Sequence, residues 1–273
     1  LGRFLHSTLP PCARFQPLAQ CDHGGRIRGA RMNKMVGLWA HPRSRSTVLE
    51  RVFIERKDFE VFHEPFAHMA FSADSAIPSD EWDHSFPTTY QGIKERLVKA
   101  RETASVFHKD MCYHCLDDLK VDVDFLAQQD NIFLIREPAS SILSHYRIHP
   151  NMPLQAIGHK ALYEIFCVVT KLTGKVPYVI NADDLAAAPE RVIGKLCDYL
   201  DIEFLPQAMV WKRECPPQWK TWRSWHVAAE NSECIISSSK TQPDKEVLDN
   251  TPALKAMYDY HRVFYARMNE FCQ

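Results

Sequence analysis

A parallel β-sheet with helices on both faces is the fold this sequence predicts. Three observations predict it. Short apolar, β-rich runs alternate with stretches of helical periodicity along the chain, the pattern of an α/β domain. A turn rich in arginine and hydroxyl groups, His41-Pro42-Arg43-Ser44-Arg45-Ser46-Thr47, separates the first such run from the first helix. A second arginine, Arg136, ends a later apolar run. In such sheets ligands bind beyond the carboxyl ends of the strands, which is where both features fall.

The elements follow in order. Val36-Gly37-Leu38-Trp39-Ala40 reads as a buried strand. The helix expected over 47–57 places Val48, Val52 and Leu49, Phe53 at helical spacing. Strands are expected at 59–63, 105–109, 131–135 and 177–181, and helices at 88–102, 138–147, 154–173, 189–200 and 251–269. Pro138 sits at a first helical position, where its missing N–H costs nothing. Residues 66–87, rich in Ser, Asp, Pro and His, read as a loop. Residues 206–244 carry Trp211, Trp219, Trp222 and Trp225 with Pro216-Pro217, and read as a long irregular segment, either a lid or substrate wall or packing over the sheet edge.

The first turn aims backbone N–H groups and a helix N-terminus at one point, a setting for an anion. Arg43 and Arg45 with the hydroxyls of Ser44, Ser46 and Thr47 make a phosphate the expected guest. The G-x-x-x-x-G-K-[ST] loop of nucleotide kinases is absent. Downstream, Arg136 at a strand end and Ser144 eight residues later can converge on one point. Arg136 could otherwise form a surface pair with Glu137. The predicted result is two anion sites on neighbouring strand ends.

These residues resemble the PAPS-dependent sulfotransferases, whose donor, 3′-phosphoadenosine 5′-phosphosulfate, carries two separated anionic groups. Arg43 to Thr47 match the family's P-[KR]-S-x-[ST]-T loop for the 5′-phosphosulfate, in the P-R-S-x-S-T form. Arg136 and Ser144 match its Arg and Ser for the 3′-phosphate. Tyr178 to Leu185, Pro189-Glu190 and Leu196 to Leu200 are similar to its Y-E-D-L…P…L-C-x-F-L segment. The matches run in the family's order from residue 36 to about 210. The resemblance implies a P-loop-NTPase-like sulfotransferase fold and a sulfotransferase that moves a sulfuryl group from PAPS to a hydroxyl or amine of a small-molecule acceptor. The nucleotide product is 3′-phosphoadenosine 5′-phosphate (PAP).

Candidate catalytic residues lie on the second and third strand ends. Glu64 resembles the base in the K-E-x-x-F-F segment of carbohydrate sulfotransferases. Its position between Phe62 and Phe66 predicts a pKa raised by desolvation. The alternative role is pairing with Arg43 or Arg45 to shape the loop. Lys109 matches the lysine of the cytosolic K-T-H segment and would stabilise charge on the transferring group, or be a surface lysine. Met111 stands where that segment has its histidine, which leaves His108, Asp110 and His114 as substitute bases. The family's late basic-glycine motif has no clean match, with Arg223, Lys240 and Lys245 as stand-ins. Cys112-Tyr113-His114-Cys115 is a single C-x-x-C, and zinc would require a second pair. No metal is expected.

Bulk properties bound the rest. The 273 residues, 45% hydrophobic and 25% charged, suffice for one sizeable core. A formal net charge of −1 gives no global field for nucleic acid. Apolar runs fall short of a membrane span. Nine scattered cysteines suit reduced thiols and a cytoplasmic protein. Residues 1–35 hold Arg3, Arg14, Arg26, Arg28, Arg31 and Lys34 against Asp22. They read as a basic extension before a domain at 36–273, either disordered or artefactual with a natural start at Met32 or Met35, or an organelle transit peptide. The leading Leu1 reads as a fragment or a processed product. The rival functions are an atypical P-loop phosphotransferase or NTP hydrolase, and a non-catalytic nucleotide-binding relic.

Overall fold

The computed structural model describes residues 32–72, 82–235 and 245–273. Most of the basic extension, and parts of the two long segments, lie outside the described residues. Residues Asn33–Gln273 form one compact unit. Five strands, β1 (Met35–Ala40), β2 (Phe59–His63), β3 (Ser105–Met111), β4 (Asp130–Ile135) and β5 (Tyr178–Asn181), form a sheet of order β2-β3-β1-β4-β5. Every pairing is parallel. All five expected strands are present, β2 with the expected bounds and the others differing by one or two residues at one end.

The helices are α1 (Ser46–Arg56), α2 (Ala67–Ala70), α3 (Tyr90–Arg101), α4 (Leu116–Val121), α5 (Val123–Ala127) and α6 (Pro138–Tyr146), followed by α7 (His159–Thr173), α8 (Ala182–Ala187), α9 (Pro189–Tyr199), α10 (Arg223–Glu230), α11 (Lys245–Asn250) and α12 (Pro252–Asn269). The expected helix over 154–173 is a short 3₁₀ turn, Leu154–Ile157, and α7, separated by Gly158 at φ 81°. A side chain there would be strained, and a Cβ would also lie 3.1 Å from the His41 Cβ. The loop expected over 66–87 contains α2, and the segment 206–244 contains 3₁₀ turns and α10.

Alternation along the strands loads both faces of the sheet. Met35 and Trp39 of β1 pack with Phe133 and Val179 against α3, α5, α7 and α12. Val36, Leu38 and Ala40 pack with Ile132 and Ile180 against α1, α8 and α9. Burial on both faces explains why the strands read as nearly unbroken apolar runs. Gly37 interrupts β1 for a steric reason: a Cβ there would sit 2.5 Å from Gln129 Oε1 and 2.9 Å from His108 Nε2.

From β1 the chain crosses to β2 and β3 on one side, and β4 leads to β5 on the other. The carboxyl ends of β1 and β4 therefore flank the topological switch point, the place in such sheets where a ligand crevice opens. The turn after β1 and Arg136 after β4 sit at that crevice.

Eight described histidines have pKa values lowered, in each case first by burial: His41, His63, His68, His108, His145, His159, His226 and His261. For His63 and His159 the value falls to about 3. An unfolded histidine takes up its proton near pH 6.5, whereas these folded ones do not. Stability is therefore lost as pH falls below about 6.5, by up to about 1.4 kcal/mol per pH unit for each such group. Glu50, pushed up to about 8 by burial, opposes this as a single group. Thermal unfolding at pH 7.5 and pH 5 should show a markedly lower midpoint in acid. An unchanged or higher midpoint at pH 5 would contradict these burials.

Candidate functional site

The turn after β1 is built from left-handed residues that are not glycine. Arg43 and Arg45 have φ of 62° and 69°. Each such conformation costs about 1–3 kcal/mol and persists where its surroundings impose it. Left-handed residues alternating with Ser44 turn successive N–H groups inward, the geometry of an anion nest. At its N-cap, Arg45, α1 has no side-chain capping hydrogen bond, and its first turn carries no acid. Ser44 is fully buried, and its Oγ has no hydrogen-bond partner. Both are features of a site that favours an anion.

Arg136 is held to this turn through its backbone and its side chain. Its N–H donates to His41 Nε2 at 3.0 Å, and its carbonyl accepts from His159 Nε2 at 3.0 Å. Its guanidinium donates from Nη1 to the Arg43 carbonyl at 2.8 Å, while Nε is buried without a partner. The His41 and His159 rings lie against each other with centroids 3.8 Å apart, tilted by 30°. Burial, then the neighbouring Arg45, lowers the Arg136 pKa to about 10, so it stays cationic at neutral pH. Among the described ion pairs none joins Arg136 to Glu137, whose carboxylate caps α6 by accepting from the Ser140 N–H at 2.9 Å.

The two expected anion sites meet through Arg43. Its Nε donates to Ser144 Oγ at 3.0 Å, and its Nη1 donates to the Trp225 carbonyl at 3.0 Å. The Arg43 guanidinium thus ties the turn, α6 and α10 together. Accepting from Arg43 leaves the Ser144 proton available to an anion. A groove of about 260 Å³ opens between Arg45 and Arg136 on one side and Ala228, Ser232 and Ile235 on the other. Of the late basic candidates, Arg223 bonds Glu230 at 2.6 Å. Lys240 and the Lys245 side chain lie outside the described residues.

The ends of β2 and β3 hold the catalytic candidates. His63 is in register with Lys109. Glu64, at φ 43°, donates its N–H to the Lys109 carbonyl at 2.7 Å. Lys109 is fully buried, not a surface lysine, and its Nζ lies 2.5 Å from Glu64 Oε1. The pKa expected for Glu64 requires correction. Burial acts to raise it, but the Lys109 ammonium, with His63 and His114, overrides that and holds the carboxyl well below the usual range. The predicted partner was an arginine of the loop, whereas the described ion pairs place Glu64 on Lys109 and, at 3.9 Å, His63.

Of the substitute bases, His108 bonds Gln129 at 2.7 Å and edges onto the Trp39 ring inside the core. Asp110 is fully buried and accepts from the N–H groups of Phe66 and Met111 at 2.6 and 2.8 Å. Its Oδ1 lies 2.5 Å from His114 Nδ1, an arrangement that fixes an imidazole from behind. Cys112 and Cys115 are buried thiols with pKa pushed well up by desolvation, unsuited to redox or metal chemistry. Trp219, in the segment read as a lid, a substrate wall or packing over the sheet edge, is fully buried.

A buried chain of polar side chains escaped the sequence reading. Thr47 Oγ1 lies 3.2 Å from His226 Nδ1, His226 Nε2 lies 2.8 Å from His63 Nε2, and His63 Nδ1 lies 2.7 Å from Glu50 Oε2. Trp219 Nε1 also donates to Glu50 Oε2, at 3.0 Å. A histidine following Trp225 in a segment read as irregular carried no periodic signal. Glu50, three residues after Thr47 on α1, was the one available hint. The donor atoms of His63, Glu64 and His226 lie within 4.8 Å of one another. Lys109 pairs with Glu64 and the two imidazoles bond each other, so the trio forms a hydrogen-bonded cluster.

Comparison with known proteins agrees with this fold. A sulfotransferase domain from the curacin biosynthetic pathway superposes with a TM-score of 0.57 at 13% identity, over 88% of this chain and 99% of that one. Branched-chain-amino-acid aminotransferase-like proteins 2 and 1 of Arabidopsis thaliana are 26% and 27% identical over 213 residues, 77% of this chain. The chain spans 37% and 38% of the length of these two relatives. The family described as sulfotransferase domain matches residues 33–267. With its parallel sheet and the turn at its switch point, the chain belongs to the sulfotransferase family.

Proposed function

We propose that this protein transfers a sulfuryl group from PAPS to a hydroxyl or amine of a small-molecule acceptor. The observation that carries the proposal is the meeting of two cationic sites at the switch point, joined by the Arg43–Ser144 hydrogen bond. A donor with two separated anionic groups fits such a pair. Two buried polar atoms without partners, Ser44 Oγ and Arg136 Nε, are suited to donating hydrogen bonds to its oxygens. Residues Arg43 to Thr47 would hold the 5′-phosphosulfate, and Arg136 with Ser144 the 3′-phosphate. No described helix is long and apolar enough to cross a membrane.

The chemistry asks little else of the protein. The acceptor oxygen or nitrogen forms a bond to sulfur as the bond from sulfur to the bridging oxygen breaks, and PAP departs with the electron pair. Loop N–H groups and Lys109 stabilise charge on the transferring and leaving oxygens. Glu64 takes the acceptor proton. Negative charge entering beside Lys109 competes for its ammonium, which weakens the grip on Glu64 and lets burial raise its basicity. The Asp110–His114 pair supports a second reading in which His114 is the base.

Replacing Arg136 by Ala should weaken PAP binding by roughly 10–150-fold, the worth of a charge-assisted hydrogen bond. Calorimetric titration measures it, and an unchanged affinity would remove Arg136 from the site. Glu64→Gln should lower kcat by about 10²–10⁴-fold while PAP still binds. Melting curves run alongside, because the change leaves Lys109 buried without a carboxylate. Full activity in Glu64→Gln, with loss in His114→Asn, would assign the base to His114. Tight ATP binding with a magnesium requirement would favour the phosphotransferase reading. PAP binding without turnover on any acceptor would favour the relic.

A further inference from the structure

We infer that Glu50, His63 and His226 form a proton relay that sets whether the Thr47 hydroxyl donates to a phosphate in the loop or turns away from it. This rests on the reading of residues 43–47 as the donor's phosphate loop. The three are positioning residues that act through Thr47.

Three contacts in series, Thr47 Oγ1 to His226 Nδ1, His226 Nε2 to His63 Nε2 and His63 Nδ1 to Glu50 Oε2, admit one proton each. Burial, the largest cause for both, keeps the two imidazoles neutral near neutral pH, so each carries a single N–H. Two directions then satisfy every contact. With a proton on Glu50, the carboxyl donates to His63 Nδ1, His63 donates from Nε2 to His226 Nε2, and His226 donates from Nδ1 to Thr47 Oγ1. The Thr47 proton is then free for an anion. When Glu50 gives its proton to solvent, each N–H moves to the other nitrogen of its ring. Thr47 now donates into His226 and presents lone pairs to the loop. One proton leaves, and both rings are neutral before and after.

The surroundings of Glu50 suit this role. It is fully buried on α1, with Oε1 unpartnered. It faces His63 and Glu64 from β2, Lys109 from β3, and Trp219 and His226 from the segment that closes over the site. Burial pushes its pKa up to about 8, with Lys109 opposing, so the direction changes within a working pH range. The relay is complete only when Trp219 and His226 are seated, which links loading of the phosphate loop to packing of residues 217–230.

PAP affinity is measured at pH 7 and pH 9 for wild type, Thr47→Val, His226→Phe and the double variant. The second ionisation of a phosphate, near about pH 6, is complete over this range. Wild type should lose affinity across it several-fold, up to about 10-fold, as the population with a protonated Glu50 falls. Thr47→Val should be weaker at pH 7 and lack that loss, and the double variant should bind no more weakly than Thr47→Val alone. A wild-type loss that persists in Thr47→Val, or effects of the two changes that multiply, would overturn the relay. If His226→Phe does not fold, the pH response of Thr47→Val decides by itself. Absence of PAP binding by wild type at both pH values would instead overturn the proposed donor.

Discussion

The clasp between the ends of β1 and β4 is the constraint on which the site depends. Arg136 is fixed by its N–H on His41, its carbonyl on His159 and its guanidinium on the Arg43 carbonyl. The bonds to His41 and Arg43 tie the end of β4 to the turn after β1, and the bond to His159 ties it to α7. Gly158 is part of the same arrangement, since its left-handed turn begins α7 and sets His159 beneath the loop. The clasp gathers arginines at the one place in the fold where strand connections diverge, and like charges held together favour an anion between them. The left-handed backbone at Arg43 and Arg45 is a local cost that the clasp sustains.

A second level of organisation concerns charge inside the protein. Lys109 and Glu64 are a close pair, fully buried on the lysine side and nearly so on the glutamate. Such a pair adds little net stability, but removing one partner strands the other, at a cost of about 3–5 kcal/mol. Buried ionisable groups without a stabilising role are candidates for function. Beside them lie Glu50, two neutral imidazoles and the Asp110–His114 pair, all on the ends of α1, β2 and β3 or on the segment covering them. The long segment after β5 packs across these groups. It supplies Trp219 to Glu50, His226 to Thr47 and the Trp225 carbonyl to Arg43.

Much of the fold was legible because both faces of the sheet are buried. Strands such as Val36–Ala40 then appear as short apolar runs that local pattern detects. The placement of Arg136 at a strand end and of Ser144 on the helix that follows was legible from their spacing. What local pattern could not supply was partnership across the sheet. Lys109 lies beside Glu64 only because β2 and β3 are parallel neighbours in a particular register. From sequence Glu64 read as an apolar-flanked acid with a raised pKa, while the tertiary partner reverses the sign. His226 is separated from Thr47 by 179 positions and joins it through a segment of turns, where no periodicity operates. The single helix expected over 154–173 failed for a local reason, the left-handed Gly158.

The central claim is that two joined cationic sites recognise the two ends of one bis-anionic nucleotide. Calorimetric titration without magnesium, comparing PAP with ADP and ATP, tests it most directly. Binding of PAP that depends on the 3′-phosphate, with ADP and ATP much weaker, is the result this account predicts. Binding of ATP with no preference for the 3′-phosphorylated nucleotide would contradict it.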